Sequence, residues 1–265
     1  MANQGSVACV GLGMTLGAHL SPRARSHLEH ADIVFAAVAD PLVELWLQDV
    51  HPDVRSLQPH YAEGKSRHAT YREMVAAVLA PVREGRRVCA AFYGHPGVFA
   101  QAPHRIVEQA RAEGHAAVME PGISAEDCLY ADLGIDPGRY GCAHFEASQF
   151  MLYRRVVDPS AYLVLWQVGI AGDRSCRRWS TDGARRQLLV DRLARDYPRD
   201  HEAILYEAAT LAIAAPRMQR LALADLAAAD VDLRTTLVLP PCRPMQEDAA
   251  MIEALQRLDS LSGAA

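Results

Sequence analysis

Residues 87–119, RVCAAFYGHPGVFAQAPHRIVEQARAEGHAAVM, decide how this chain folds. The apolar run at 87–92 reads as a strand. YGHPGVF at 93–99 follows it directly, and its two glycines and one proline impose a sharp loop. Residues 101–113 read as a helix ended by Gly114, and 115–119 as the next strand. Such alternation predicts a parallel sheet covered by helices on both faces.

Working outward, the alternation continues. Residues 7–10 read as a strand, followed by the turn Gly11-Leu12-Gly13. Ser21-Pro22 opens a helix to about His30, with a capping hydroxyl ahead of a proline at the first helical position. Residues 32–38 read as a strand, Asp40-Pro41 caps another helix, and 66–84 form a long helix ended by Gly85. The stretch 134–141 is rich in turn formers and reads as a linker. Beyond it, strands at 162–166, 203–206, 217–221 and 235–239, with a helix at 181–197, predict a second α/β domain with a mixed sheet. In a terminal helix over 245–261, Met251, Ile252, Leu255 and Leu258 recur at helical spacing, which suits packing or a dimer contact. The expected organisation is an amino-terminal α/β domain over 1–136, a second α/β domain over 137–244 that completes a ligand cleft, and a helix and tail over 245–265.

Composition narrows the function. The 265 residues are 50% hydrophobic and 22% charged, as in a soluble globular protein. A net charge of −5 offers no basic surface for nucleic acid. Arg174, Arg177 and Arg178 read as a solvated loop rather than a phosphate site. Cys9, Cys89, Cys128, Cys142, Cys176 and Cys242 are too far apart for a zinc knuckle or a redox pair, so no metal is expected. No apolar stretch reaches membrane-spanning length, and the amino terminus lacks a basic and apolar targeting pattern. A cytoplasmic protein with reduced thiols is expected.

Three loops carry the candidate chemistry. In Gly11-Leu12-Gly13 the glycines let backbone N–H groups approach a ligand closely. The glycine spacing of a dinucleotide fingerprint is not completed, since Leu16 stands where the third glycine belongs. Tyr93-Gly94-His95-Pro96-Gly97-Val98-Phe99 lies at the carboxyl end of a strand, where open α/β sheets bind ligands. Pro121-Gly122-Ile123-Ser124-Ala125 follows another strand and opens a helix, where Ser124 either caps that helix or donates to a ligand carboxylate. Two such loops on neighbouring strands point to a shared crevice.

These loops resemble those of the tetrapyrrole methylases, which have a glycine turn after strand one, a Gly-Asp-Pro-type loop and a Pro-Gly-Ile-Ser segment. Here Gly94-His95-Pro96 stands for Gly-Asp-Pro, and the acidic, proline-rich continuation after the first glycines is absent. The likeness is closer to one branch, the borosin peptide backbone α-N-methyltransferases. It is carried by YAEGKSR (61–67) with Thr70-Tyr71, FYGHPGVF (92–99), PGISAEDCLYADLGIDP (121–137), FEAS (145–148) and LWQVG (165–169). The resemblance implies a two-domain tetrapyrrole-methylase-like fold. It implies S-adenosylmethionine as cofactor and S-adenosylhomocysteine as product. The residues implied to hold the cofactor are Gly11, Gly13, Tyr93, Gly94, His95, Val98, Phe99, Ser124, Ala125 and Gln167, with Tyr206, Glu207 and Ala208 near its adenine. Fungal members carry their substrate as a carboxyl-terminal extension. This chain ends in a short helix and a small-residue tail, so the split form is expected, acting on a precursor peptide in trans. A homodimer, carrying two peptides as a heterotetramer, is expected with it. A tetrapyrrole or small-molecule methyltransferase of the same fold is the alternative.

The residues suit amide methylation. An amide nitrogen is a poor nucleophile because its lone pair is delocalised into the carbonyl. Methylation needs the N–H proton removed, or negative charge on the carbonyl oxygen stabilised. Arg67 and Tyr71 are four apart on a helix and share a face. A guanidinium beside a phenol lowers its pKa from about 10. Arg67 and Tyr71 are therefore the expected acid/base and imidate-stabilising pair, with Tyr61 and Tyr93 as positioning groups; the choice of phenol as base stays open.

Overall fold

The computed structural model describes residues 4–38 and 40–262. In chain order the first layer contains β1 (Ser6–Gly11), α1 (Pro22–His30), β2 (Ile33–Ala37), α2 (Pro41–Val50), β3 (Val54–Ser56), α3 (Arg67–Arg83), β4 (Arg87–Phe92), α4 (Gln101–Ala112) and β5 (Ala116–Glu120). The five strands are parallel, in the order β3-β2-β4-β1-β5. The expected caps form: Ser21 accepts from the Ala24 amide and Asp40 from the Leu42 amide, each just before a proline.

Both faces of this sheet are buried, as parallel sheets require. Along β1, Val7 and Cys9 pack towards α3 and α4, while Ala8 and Val10 pack towards α1 and α2. β1 hands the chain to α1, whose Leu28 lies on the second face; its neighbour β4 hands it to α4, whose Ile106 lies on the first. Adjacent strands whose chains leave to opposite faces open a crevice at their carboxyl ends.

The second layer begins with α5 (Ala125–Leu133) and the short α6 (Pro137–Tyr140). There follow β6 (Cys142–Glu146), α7 (Ala147–Leu152), β7 (Tyr162–Trp166), α8 (Gly183–Leu193), β8 (Glu202–Glu207), β9 (Arg217–Ala222), β10 (Thr236–Leu239) and α9 (Ala249–Ser262). The sheet order is β6-β7-β10-β8-β9, with β6 and β7 parallel and the other pairs antiparallel, so the sheet is mixed as expected. α7 and α8 cover one face and α5 the other, where Leu129 meets Val164, Trp166 and Tyr206. α5 lies within 1–136 in sequence yet packs on the second sheet.

β3, β6, α6 and α7 go beyond the sequence reading. β3 is a three-residue edge strand, and β6 alternates apolar with polar residues next to the turn-rich stretch. Within that stretch Gly134 ends α5 in the left-handed region at φ 65°, and Asp136 caps α6. On α9, Met251, Ile252 and Leu255 stay exposed, so the stripe is not used for packing within one chain.

Candidate active site

Three glycines at strand ends form the floor of the crevice. A Cβ at Gly11 would stand 2.5 Å from the Gly94 carbonyl oxygen and 2.7 Å from the Gly122 Cα, so the turns after β1, β4 and β5 meet backbone to backbone. Gly13 and Gly94 exchange two backbone hydrogen bonds, of 3.1 and 2.8 Å. Both have positive φ, which glycine adopts without strain. In the β4 loop, His95 Nδ1 accepts from the Gly97 amide at 2.8 Å and the Val98 amide donates to the His95 carbonyl. His95 thus shapes its own turn. In the β5 loop Ser124 and Asp127 form a reciprocal capping box, which commits the Ser124 hydroxyl to the helix start and leaves Ala125 half-buried beside it.

The second layer closes over this floor. Thr15 Oγ1 and the Leu16 amide donate to the Ala209 and Thr210 carbonyls after β8. The Phe99 ring, half exposed, lies 5.5 Å from Trp166 at the end of β7. Phe99, Gln167 and Cys176 are the non-glycine residues with positive φ among the described residues, and all three sit on loops around the cleft. Each such residue costs about 1–3 kcal/mol, and such strain gathers at functional sites. Tyr206 is buried and donates its hydroxyl to Asp132 of α5 at 2.7 Å. Glu207 is held by Arg217 at 2.8 Å and by the Thr235 hydroxyl at 2.7 Å. From this segment the backbone and Ala208 remain to face a ligand; the two polar side chains are already engaged.

The arginine–tyrosine cluster forms where α3 starts. Arg67 is held twice by the loop before α8: its amide donates to the Cys176 carbonyl at 3.0 Å and its guanidinium to the Arg178 carbonyl at 2.5 Å. Tyr71 lies one turn on, and its phenol interacts with that of Tyr61. The Tyr61 ring is 5.9 Å from Trp179 of the same loop. Tyr93 lies close enough to raise the cost of ionising Tyr61. Lys65 reaches Glu73 at 2.5 Å and the His60 carbonyl at 2.7 Å, and so braces the approach to α3.

One expectation is corrected here. Arg67 pulls the Tyr71 phenol down, but burial raises it more, so Tyr71 lies above the ordinary tyrosine range. Burial likewise pushes Tyr61 well up, against the pull of Arg67. At neutral pH both phenols are protonated donors.

A further chain of polar groups went unread in the sequence. Trp166 Nε1 donates to His144 Nδ1 at 3.1 Å; His144 Nε2 lies 2.7 Å from the Tyr130 hydroxyl, which donates to Glu126 at 3.0 Å. Cys142 Sγ is 3.1 Å from the same Nε2. An indole N–H only donates, so Nδ1 must be unprotonated and the ring neutral. Burial lowers the His144 pKa accordingly, against the opposing pull of Glu126. The Glu126/Tyr130 spacing on α5 was the available signal; the strand carrying His144 was not. Among the described residues no group of three or more His, Cys, Asp or Glu could hold a metal ion. None of their helices is long and apolar enough to cross a membrane.

Residues 6–227 match the tetrapyrrole (corrin/porphyrin) methylases. A methyltransferase/ribosomally synthesized cyclic peptide gymnopeptides precursor from Gymnopus fusipes is 38% identical over 241 residues, 89% of this chain and 57% of that protein. A methyltransferase/ribosomally synthesized type I borosin cyclic peptide precursor from Coprinopsis marcescibilis is 37% identical, over 96% of this chain and 67% of that protein. The corresponding omphalotin A precursor from Omphalotus olearius is 36% identical, over 97% and 62%. The chain thus spans 57–67% of the length of these relatives. Among solved structures, uroporphyrin-III-C-methyltransferase from Thermus thermophilus superposes with a TM-score of 0.62 at 21% identity, covering 90% of this chain and 93% of that one. The methyltransferase CobJ gives 0.59 at 16%, covering 91% and 97%. At these identities the structural likeness speaks to the fold.

Proposed function

The chain belongs to the tetrapyrrole (corrin/porphyrin) methylase family, and from that premise we propose that it methylates backbone amides of a ribosomally made peptide, with S-adenosylmethionine as donor. The observation that carries this reading is the cluster of Arg67, Tyr71 and Tyr61, joined by Tyr93 of the glycine loop, against the loop before α8. The relatives named as methyltransferase–precursor proteins support the substrate class.

The crevice fits such a cofactor. Its floor is backbone at Gly11, Gly94 and Gly122, with apolar surface at Phe99 and Ile123, which are 50% and 40% exposed. Gly11, Gly13, Gly94, His95, Val98, Ser124, Ala125 and Gln167 would hold it, together with Ala208 and the backbone of Tyr206 and Glu207. When bound, it supplies an electrophilic methyl group.

The phenolate form of Tyr71, a minor fraction at neutral pH, takes the amide proton and becomes the phenol. Arg67, its guanidinium fixed against the Arg178 carbonyl, stabilises negative charge on the amide oxygen. Tyr61 and Tyr93 donate to the peptide and orient it. The peptide is a separate chain that slides through between turnovers, so methylation is iterative, and a homodimer binds two peptides. The test is mass spectrometry of a precursor peptide incubated with enzyme and S-adenosylmethionine. Successive mass gains of one methyl group on backbone nitrogen support the reading. Methylation confined to side chains, or of a tetrapyrrole in its place, overturns it.

A further inference from the structure

Arg174, Arg177 and Arg178 are exposed, as expected of a solvated loop, and the structure sets their loop, 171–180, against the site. Its backbone is wound around one buried carboxylate. Asp173, 6% exposed, accepts from the Ser175 amide and hydroxyl and from the Arg177 and Arg178 amides. These bonds hold the Asp173 carboxyl below its usual range despite burial. The wound loop then binds Arg67 through the Cys176 and Arg178 carbonyls and sets the Trp179 ring beside Tyr61, tilted at 55°. It is therefore a fixed platform on the edge of the candidate active site.

What the platform presents is unspent. Among the described residues, the side chains of Arg174, Arg177 and Arg178 make no hydrogen bond or ion pair, although all three are exposed. Arg178 feels Asp182 at longer range, but that carboxylate is bound to Arg185. Elsewhere on this chain, of net charge −5, arginines are commonly matched: Arg23 with Glu120, Arg55 with Asp53, Arg83 with Glu113, Arg199 with Asp191. Trp179, beside them, is 43% exposed.

We propose that Arg174, Arg177, Arg178 and Trp179 form the docking surface for an acidic segment, bearing an apolar residue, of the peptide substrate. The inference rests on the peptide-methylation reading and adds a partner chemistry to it. Exposed guanidinium groups pair with carboxylates, and an exposed indole takes an apolar or aromatic side chain. A docking segment held here keeps the peptide beside Arg67 and Tyr71 while its core slides. Affinity is thus separated from the step that must not bind tightly.

The test is fluorescence anisotropy with the full chain and a short fluorescein-labelled peptide alternating Glu with Leu, compared with its Gln-for-Glu counterpart. No cofactor is added, so a failure of methyl transfer cannot imitate a failure of docking. The acidic peptide should bind about tenfold more tightly than the amide peptide, the combined effect of two or three exposed ion pairs. The preference should shrink as salt rises to about 0.5 M. Arg174→Gln with Arg177→Gln should abolish it, and Arg174→Glu with Arg177→Glu should transfer it to a Lys-for-Glu peptide. Equal binding of acidic and amide peptides by the parent protein overturns the proposal. So does a single-stranded RNA that displaces the acidic peptide with higher affinity.

Discussion

The indole Nε1–H of Trp166 is donated to Nδ1 of His144 at 3.1 Å, and Trp166 in turn faces Phe99 of the glycine loop at 5.5 Å. A half-buried neutral imidazole thus sets the position of an aromatic that borders the cleft. His144 has its pKa lowered in the fold, so the unfolded chain binds the proton more readily. Its contribution to stability is present above about pH 6.5 and is lost as pH falls below that. Replacing His144 with Gln is expected to flatten the decline in melting temperature between about pH 7 and about pH 5. Thermal melts of both proteins across that window check it; parallel curves refute it.

Arg67→Ala and Tyr71→Phe are expected to keep cofactor affinity and lose most methyl transfer. The loss of a fixed donor to a developing oxyanion costs about a hundredfold to a thousandfold in kcat. Calorimetry with S-adenosylmethionine and mass spectrometry on peptide separate the two effects. Near-parental turnover in both variants would remove the catalytic assignment.

With Tyr71 as base, the raised pKa has a kinetic signature. The active phenolate is the minor form below that pKa, and its fraction grows tenfold per pH unit. The logarithm of kcat should therefore climb with pH from about 7 to about 9, and Tyr71→Phe should lose that slope. A flat profile in the parent enzyme would assign the proton to another group.

A Cβ at Gly122 would stand 2.3 Å from the Gly94 carbonyl oxygen and 2.8 Å from the Gly11 Cα. Gly122→Ala should cost about 1–3 kcal/mol by overpacking three turns. It should also weaken cofactor binding, because the floor of the crevice is displaced. Denaturant unfolding and calorimetry measure the two losses; an unchanged pair of values contradicts the placement.

The stripe on α9 offers a test of assembly. Met251 and Leu255 are 57% and 52% exposed. Met251→Glu with Leu255→Glu should shift a homodimer towards monomer in light scattering if that stripe lies at the subunit contact. A parental dimer mass for the double variant excludes α9 from the interface.

Much of the fold was legible because its determinants are local. A strand run, a glycine loop and a periodic helix declare themselves within a few residues, so β1, β4, α4 and β5 and the loops between them follow from spacing. The loops at 93–99 and 121–125 and the Arg67/Tyr71 spacing were readable for the same reason. Edge strand β3 and polar-patterned β6 were not, since too few apolar residues mark them.

What the sequence by itself determined is therefore the alternation of elements, the glycine turns and the chemical types at the site. Tertiary structure alone decided which of those groups meet. It put β4 beside β1 and so opened the crevice between them. It committed the Tyr206 hydroxyl to Asp132 and set the 171–180 loop against Arg67. It also reversed the expected direction for Tyr71. A guanidinium four residues away is a local fact. The desolvation that outweighs it comes from the core packed around the phenol, together with residues distant in the chain.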